Sequence, residues 1–375
     1  MNLNSGISIG RIRGIDIRIH WSWFIVLVLL TWSFADGLYR DLFEGWSEGQ
    51  LWTAAVATSV LFFLSVLLHE LSHALVAQRY GMVVPSITLF VFGGVSSIAG
   101  EMRTPRQEFA VAIAGPLMSW VLAAVYGMLW LITRGEGIGG VFGYLAWING
   151  ALGLFNLLPG FPLDGGRVLR SIVWARSNSI VRATRFASTA GSLIAYVMIA
   201  AGLVSVFAFG LFGGIWYVLI GLFLKSAAEG SYQAMLTDRA LHDVAAQAVM
   251  RPPPEPIDAS MTVQELVDGR LLPTAERAFL IGGDGNVIGL VTASDITKLP
   301  REQWAATAVT HVMVPAAKVM TVTPQTSLIE VMQTMQQHDI HQLPVLEDGR
   351  LVGMLTRGDV LRQVEVRMQF QDGTR

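Results

Sequence analysis

Long, nearly uninterrupted apolar runs fill the first three-fifths of the chain, and short alternating runs fill the remainder. A helix that crosses a bilayer needs about 20 mainly apolar residues. Six stretches meet or approach that length, near 20–39, 52–79, 106–133, 141–159, 187–208 and 211–225. The last is short for a full span. Residues 81–98 break the pattern: β-branched and aromatic residues flank Gly93 and Gly94, which reads as a hairpin turning at the glycine pair. Open strands cannot face lipid, so such a hairpin must be tucked into protein or lie at the interface, where its free edge could receive an extended peptide.

The N-terminal run resembles a signal peptide in outline, with Arg11, Arg13 and Arg18 ahead of apolar residues. No small-residue cleavage site follows, and Trp21 and Trp23 suit an interfacial anchor, as does His20 beside them, so the first span is expected to stay. Six spans starting inside leave the C-terminal part inside. Arg11, Arg13, Arg18, Arg79, Arg103, Arg106, Arg167, Arg170, Arg176, Arg182, Arg185 and Lys225 then fall on the cytoplasmic side, against Arg40 and Arg134 outside. That bias agrees with the positive-inside rule. The expectation is a multi-pass protein of the cell membrane with its N-terminus and C-terminal domain in the cytoplasm.

Charge sharpens the division. Residues 1–230 hold 25 of the 54 charged side chains and residues 231–375 hold 29, so a membrane domain over 1–230 precedes a soluble one. The fold class is therefore a polytopic α-helical membrane protein of about six spans, with a C-terminal α/β domain. A net charge of −2 without a long basic run lacks the electrostatic footprint of a nucleic-acid binder. With no Cys, disulfides, thiolate metal sites and a cysteine nucleophile are excluded, so any metal must be held by carboxylates and the seven His.

Two of those His lie in the second span as His69-Glu70-Leu71-Ser72-His73. On a helix, positions i and i+4 share a face, so both imidazoles can meet one metal with Glu70 beside them. An HExxH match arises by chance in soluble helices, but ionisable groups inside an apolar span cost at least ~2.5–3.5 kcal/mol for a charged residue and mark function. Zinc needs a further protein ligand and an open position for water. Asp164 is the only acidic residue between Glu136 and Glu229, and Pro159, Pro162, Gly165 and Gly166 break the helix around it. Broken backbone at membrane depth is tolerated where it lines a cavity. The blander reading is an interfacial turn in which Asp164 caps the next helix. Gly115 and Pro116 on the third span read as close-packing residues.

The pairing of His69–His73 with Asn156-Leu-Leu-Pro-Gly-Phe-Pro-Leu-Asp164-Gly-Gly-Arg167 resembles the site-2 protease family of intramembrane zinc metalloproteases, over residues from about 10 to 225. Phe92-Gly93-Gly94 and Ala114-Gly115-Pro116-Leu117 also resemble family motifs. The resemblance implies three core helices, one Zn2+ held by His69, His73 and Asp164, Glu70 as general base, and Asn156 in contact with substrate or the tetrahedral intermediate. For Asn156 an interhelical hydrogen bond is an equal alternative. It also implies that the 84–98 hairpin holds an unwound substrate as an added strand, the β-augmentation mode.

The tail contains an internal repeat. Residues 281–296 match 345–360, each reading as strand, Asp-Gly turn, strand and helix start, and Ala248–Pro252 parallels His311–Pro315. This resembles a pair of CBS domains, expected over 241–300 and 305–365, a module that binds adenine nucleotides (ATP, ADP or AMP) between its repeats. Thr292 with Asp295 and Thr356 with Asp359 match the family's ribose and phosphate contacts. The blander reading makes them helix caps, with the pair serving homodimerisation. His338 and His341 read as surface or packing residues, and Pro252–Pro254 as a stiff connector.

The function expected is a membrane-embedded zinc endopeptidase that cuts a transmembrane or membrane-associated protein near the cytoplasmic side, in regulated intramembrane proteolysis, with nucleotide modulation through the tail. The competing class is a transporter or channel gated by CBS domains. A transporter has no reason to carry a complete zinc-hydrolase set.

Overall fold

The computed structural model describes residues 6–372 apart from 92, 100–101, 134–136, 212, 243, 275 and 284–285. The chain divides into two compact units, Met1–Gln233 and Ala234–Arg375.

In the first unit a two-stranded ribbon, β1 (Ile7–Ile12) and β2 (Ile15–Ile19), leads into helices α1 (Trp21–Leu42) and α2 (Glu48–Arg79). Strands β3 (Val83–Phe90) and β4 (Gly93–Ala99) follow, then α3 (Pro105–Thr133), α4 (Gly137–Asn156), α5 (Asp164–Ser177), α6 (Ile180–Phe209) and α7 (Gly214–His242). Among the described residues five helices, α1 to α4 and α6, are long and apolar enough to cross a membrane. The sixth expected span corresponds to α7, which is helical but not among the five. Its apolar stretch ends at Lys225 and the helix continues through Glu229 and Asp238, so its length comes from polar sequence.

The hairpin is real but belongs to a larger sheet. Strand order is β1-β2-β3-β4, with β2 parallel to β3 through Asp16↔Ser86 to Ile19↔Leu89. Residues 7–19, which hydropathy leaves as a mere flank of the first span, supply half of it. The register Phe90↔Gly93 and Leu89↔Gly94 places the glycines inside β4, so the turn precedes the glycine pair rather than falling on it. Phe92 itself lies outside the described residues. Ile15 and Ile17 of β2 and Val84 and Ile87 of β3 pack with Leu71, Ala74 and Ala77 of α2 and with Val111 of α3. The sheet thus sits on the last turns of α2, beside the HExxH sequence.

Helix α2 is launched by a capping box in which Ser47 and Gln50 satisfy each other's backbone N–H groups. The break at 157–163 is fixed as firmly: Phe161 is buried, its N–H donates to the Ala187 carbonyl of α6, and its ring packs with Ala187 and Ala228. A Cβ on Gly165 would run into the Leu157 and Leu158 backbone, so α5 starts tightly folded against the end of α4. This places Asp164, the first residue of α5, beside the end of α4.

The second unit contains α8 (Val263–Leu266), β5 (Ala278–Gly283), β6 (Asn286–Thr292), α9 (Ala293–Ile296), β7 (Val314–Pro315), α10 (Leu328–Gln337), β8 (Gln342–Glu347), β9 (Arg350–Thr356) and α11 (Arg357–Asp372). Hairpins β5–β6 and β8–β9 occupy matching places in two separate cores. The repeats are cross-strapped. Val314 of β7 lies opposite Leu290 of β6, and Arg251, which precedes the first hairpin, bridges to Met354 of β9 in the second.

Candidate metal centre

Helical spacing brings His69 and His73 to one face of α2, and the 157–163 break delivers Asp164 to them. Both Nε2 atoms lie 3.1 Å from Asp164 Oδ2 and 3.3 Å from each other. Both imidazoles are buried, inside a helix long and apolar enough to cross a membrane. The outer ring nitrogens are also held. His73 Nδ1 donates to the Val111 carbonyl at 2.6 Å, and His69 Nδ1 is hydrogen-bonded to the fully buried Ser119 hydroxyl at 2.9 Å. The carbonyl fixes the His73 tautomer, so its Nε2 carries the lone pair. Two imidazoles and a carboxylate, turned inward with donor atoms within 4.8 Å of one another, are a set of Lewis bases facing a common point. That donor set suits a zinc ion with an open position.

Helix α3 closes the site from one side. A Cβ on Gly115 would collide with both imidazoles, so the packing glycine read from sequence is what lets α3 reach the histidines. Strand β4 closes another side. Ser96 Oγ donates to Glu70 Oε2 at 2.8 Å, and a Cβ on Gly94 would strike the Glu70 side chain. A cavity of about 730 Å³ opens beside these groups, lined by His69, Glu70, Asp164, Asn156, Gly93 and Gly94 along with apolar residues of α1, α2, α4 and α7. The described residues among the expected site therefore converge, His73 completing the cluster at the wall.

Three contributors are invisible to motif reading: Ser119, Ser96 and the buried ion pair of Glu108 on α3 with Arg170 on α5. Arg170, read from sequence as a topology marker, also stacks over Phe161 at 5.2 Å. Glu108 is fully buried, so the pair clamps the helix that begins with Asp164. A signal existed in each case: a hydroxyl one helical turn after Gly115, a hydroxyl two residues past the Gly93-Gly94 pair, and an acid at the third position of the expected 106–133 span. His20, expected at an interface, is instead the buried N-cap of α1, with Nδ1 on the Ser22 hydroxyl.

In the second unit both Thr-Asp pairs are capping boxes. Thr292 and Thr356 donate their hydroxyls to Oδ2 of Asp295 and Asp359 at 2.6 Å, and receive the aspartate backbone N–H in return. Oδ1 of Asp295 meets Lys298, whereas Oδ1 of Asp359 meets Arg251. Burial alone would push each carboxyl up in pKa, but the threonine hydroxyl and the cation outweigh it and hold both below the ordinary aspartate range. The first pair borders a cleft of about 340 Å³ with Arg277, Lys298 and Lys318; Thr356 borders a second of about 640 Å³ with Arg251, Arg277 and Arg357.

The profile of peptidase family M50 matches residues 57–139 and 133–202, and that of the CBS domain matches 245–302 and 309–366. Rip3 of Mycobacterium tuberculosis, named as a candidate zinc metalloprotease, is 34% identical over 370 residues, covering 97% of this chain and 94% of its own. The chain belongs to peptidase family M50. This M50 peptidase is also 36% identical to sll0528 of Synechocystis, likewise named as a candidate zinc metalloprotease, with 96% of each chain covered. A solved structure titled Site-2 Protease from Methanocaldococcus jannaschii is 29% identical, covers 60% of this chain and 95% of its own, and superposes with a TM-score of 0.43. The M50 peptidase is a site-2 protease-like zinc metalloendopeptidase with a CBS pair, and a transporter reading falls away.

Proposed function

We propose that this chain cleaves a transmembrane or membrane-associated protein within the bilayer, near the cytoplasmic face, as the proteolytic step of regulated intramembrane proteolysis. The observation that carries this reading is the meeting of His69, His73 and Asp164 beside Glu70, in a cavity bordered by β4. His69, His73 and Asp164 would hold the zinc ion. Bound there, zinc supplies Lewis acidity that polarises a peptide carbonyl and acidifies water. Glu70, turned into the cavity and steadied by Ser96, takes the proton from the attacking water and passes it to the leaving amine. Asn156 lines the same cavity, where its side-chain amide can donate to the substrate carbonyl. The hairpin carrying Phe92, Gly93 and Gly94 would hold the unwound substrate, because β4 is the last strand of its sheet among the described residues.

The proposed division is a protease domain over 1–230 and CBS repeats over 241–300 and 305–365. The Arg bias in the loops supports a cytoplasmic N-terminus and tail in a multi-pass protein of the cell membrane. The tail would bind ATP, ADP or AMP through Thr292, Asp295, Thr356 and Asp359 and modulate cleavage, and the CBS pair would also support a homodimer.

The deciding experiment joins zinc analysis of wild type, His69→Ala and Asp164→Ala with a proteomic search for membrane proteins that stay uncut when Glu70→Gln replaces the wild type. Zinc lost from both ligand variants and substrates accumulating with Glu70→Gln is the expected result. Unchanged zinc content, or normal processing by a zinc-loaded Glu70→Gln protein, would refute it.

A further inference from the structure

The two Thr-Asp clefts are related by an internal repeat, yet they present different chemistry. Leu290 and Met354 occupy equivalent places 64 residues apart, in β6 and β9. The residues lying opposite them, Val314 and Arg251, are therefore counterparts. In the first cleft this position is an apolar side chain with nothing to offer a carboxylate. In the second it is a guanidinium whose Nε and Nη2 both donate to Asp359 Oδ1.

A ribose is recognised by an aspartate that accepts from its vicinal hydroxyls. In both repeats Oδ2 is consumed by the capping threonine, so only Oδ1 remains for a diol. Among the described residues Asp295 Oδ1 bonds only to Lys298, whose side chain is 76% exposed and free to swing toward a phosphate. Asp359 is 5% exposed against 14% for Asp295, and its Oδ1 is already held by two donors of the planar Arg251 fork, a side chain itself 56% exposed. Lys318 of the first cleft falls opposite Glu255, and Arg357 of the second falls opposite Ala293, so both clefts carry cations for phosphates and the difference between them lies at the aspartate. The second cleft is the larger, but volume does not replace a missing acceptor.

We propose that the tail binds one adenine nucleotide per chain, in the cleft of Thr292 and Asp295, and that Arg251 closes the Thr356–Asp359 cleft to ribose. This rests on the nucleotide reading of the tail and narrows it from two equivalent sites to one. Arg251 is thus a specificity residue whose repeat-related position, Val314, leaves the other cleft open.

The test is calorimetric titration of the full chain in detergent with ATP, ADP and AMP in turn, with a melting curve for each variant. The expected results are one nucleotide per wild-type chain, a tenfold or greater loss of affinity in Val314→Arg, and two nucleotides per chain in Arg251→Val. If Val314→Arg melts early, Asp295→Asn replaces it, with the same loss expected. Two sites in the wild type, unchanged binding in Val314→Arg or Asp295→Asn, or loss of the single site in Arg251→Val would overturn the asymmetry and leave the nucleotide reading standing. No binding of any of the three nucleotides to wild type or Arg251→Val would overturn the nucleotide reading itself.

Discussion

Replacing Ser119 with Ala isolates what the second partner of an imidazole proposed to hold zinc contributes. The two histidines are oriented differently: His73 by a backbone carbonyl that no substitution removes, His69 by the Ser119 hydroxyl at 2.9 Å. Ser119 is fully buried, so no water is at hand to take over the bond. Loss of such a partner lowers metal affinity by about 10–100-fold, equivalent to about 1.4–2.8 kcal/mol. The loss should sit toward the upper part of that range, because His69 Nδ1 would be left buried and unpaired. Zinc affinity is measured by competition with a chromophoric chelator in detergent, with Ser65→Ala as the control. Ser65 is equally buried on α2 but bonds only to its own helix, at the Leu61 carbonyl. A Ser119→Ala protein whose zinc affinity stays within twofold of wild type, or falls no further than that of Ser65→Ala, would refute the argument that this hydroxyl orients the ligand.

Ser96→Ala should lower kcat by about tenfold while zinc content stays constant, because it frees the proton acceptor without touching a ligand; steady-state cleavage with parallel metal analysis checks it. Glu108→Ala strands the largely buried Arg170 and should cost about 3–5 kcal/mol of stability, read as an earlier melt of the membrane unit. For the tail, the carboxyl of Asp359 is held low in the folded state, so its contribution is present above the unfolded aspartate value of about 4 and is lost as pH falls through the folded one. Arg251→Val should therefore flatten the acid limb of the tail's stability curve, as followed by hydrogen exchange of residues 350–364.

The proposed zinc ligand set is legible because HExxH is local and because Asp164 stands alone in a long acid-free stretch. Cost made those residues conspicuous. The β1–β2 ribbon was equally present in the alternation of Ile7 and Ile9 and of Ile15, Ile17 and Ile19. A twenty-residue hydropathy window averages over such a period-two signal, so the strands read as no more than a flank of the first span. Gly93-Gly94 is the usual turn signature, yet both glycines lie in the strand. Here steric room for Glu70 is the demand that the second glycine meets. Ser119, Ser96 and the Glu108–Arg170 clamp depend on which residues face each other across helices. No spacing rule within one segment reports that. In the tail the capping boxes were readable from spacing alone, whereas Arg251 acts on a residue 108 positions away and only the cross-strapped repeats bring them together.

Strand β4 has its inner face on Glu70, the proposed base, and its outer edge toward whatever pairs with it. Ser96 ties the strand to Glu70, Gly94 lies flush against the same side chain, and β3 joins it to the start of α1 through His20 N–H to the Leu89 carbonyl. A guest strand and the base therefore lean on one beam. Variants along β4 should then raise KM as they lower kcat, so that tight grip and fast chemistry are inherited together and cannot be tuned apart at this edge.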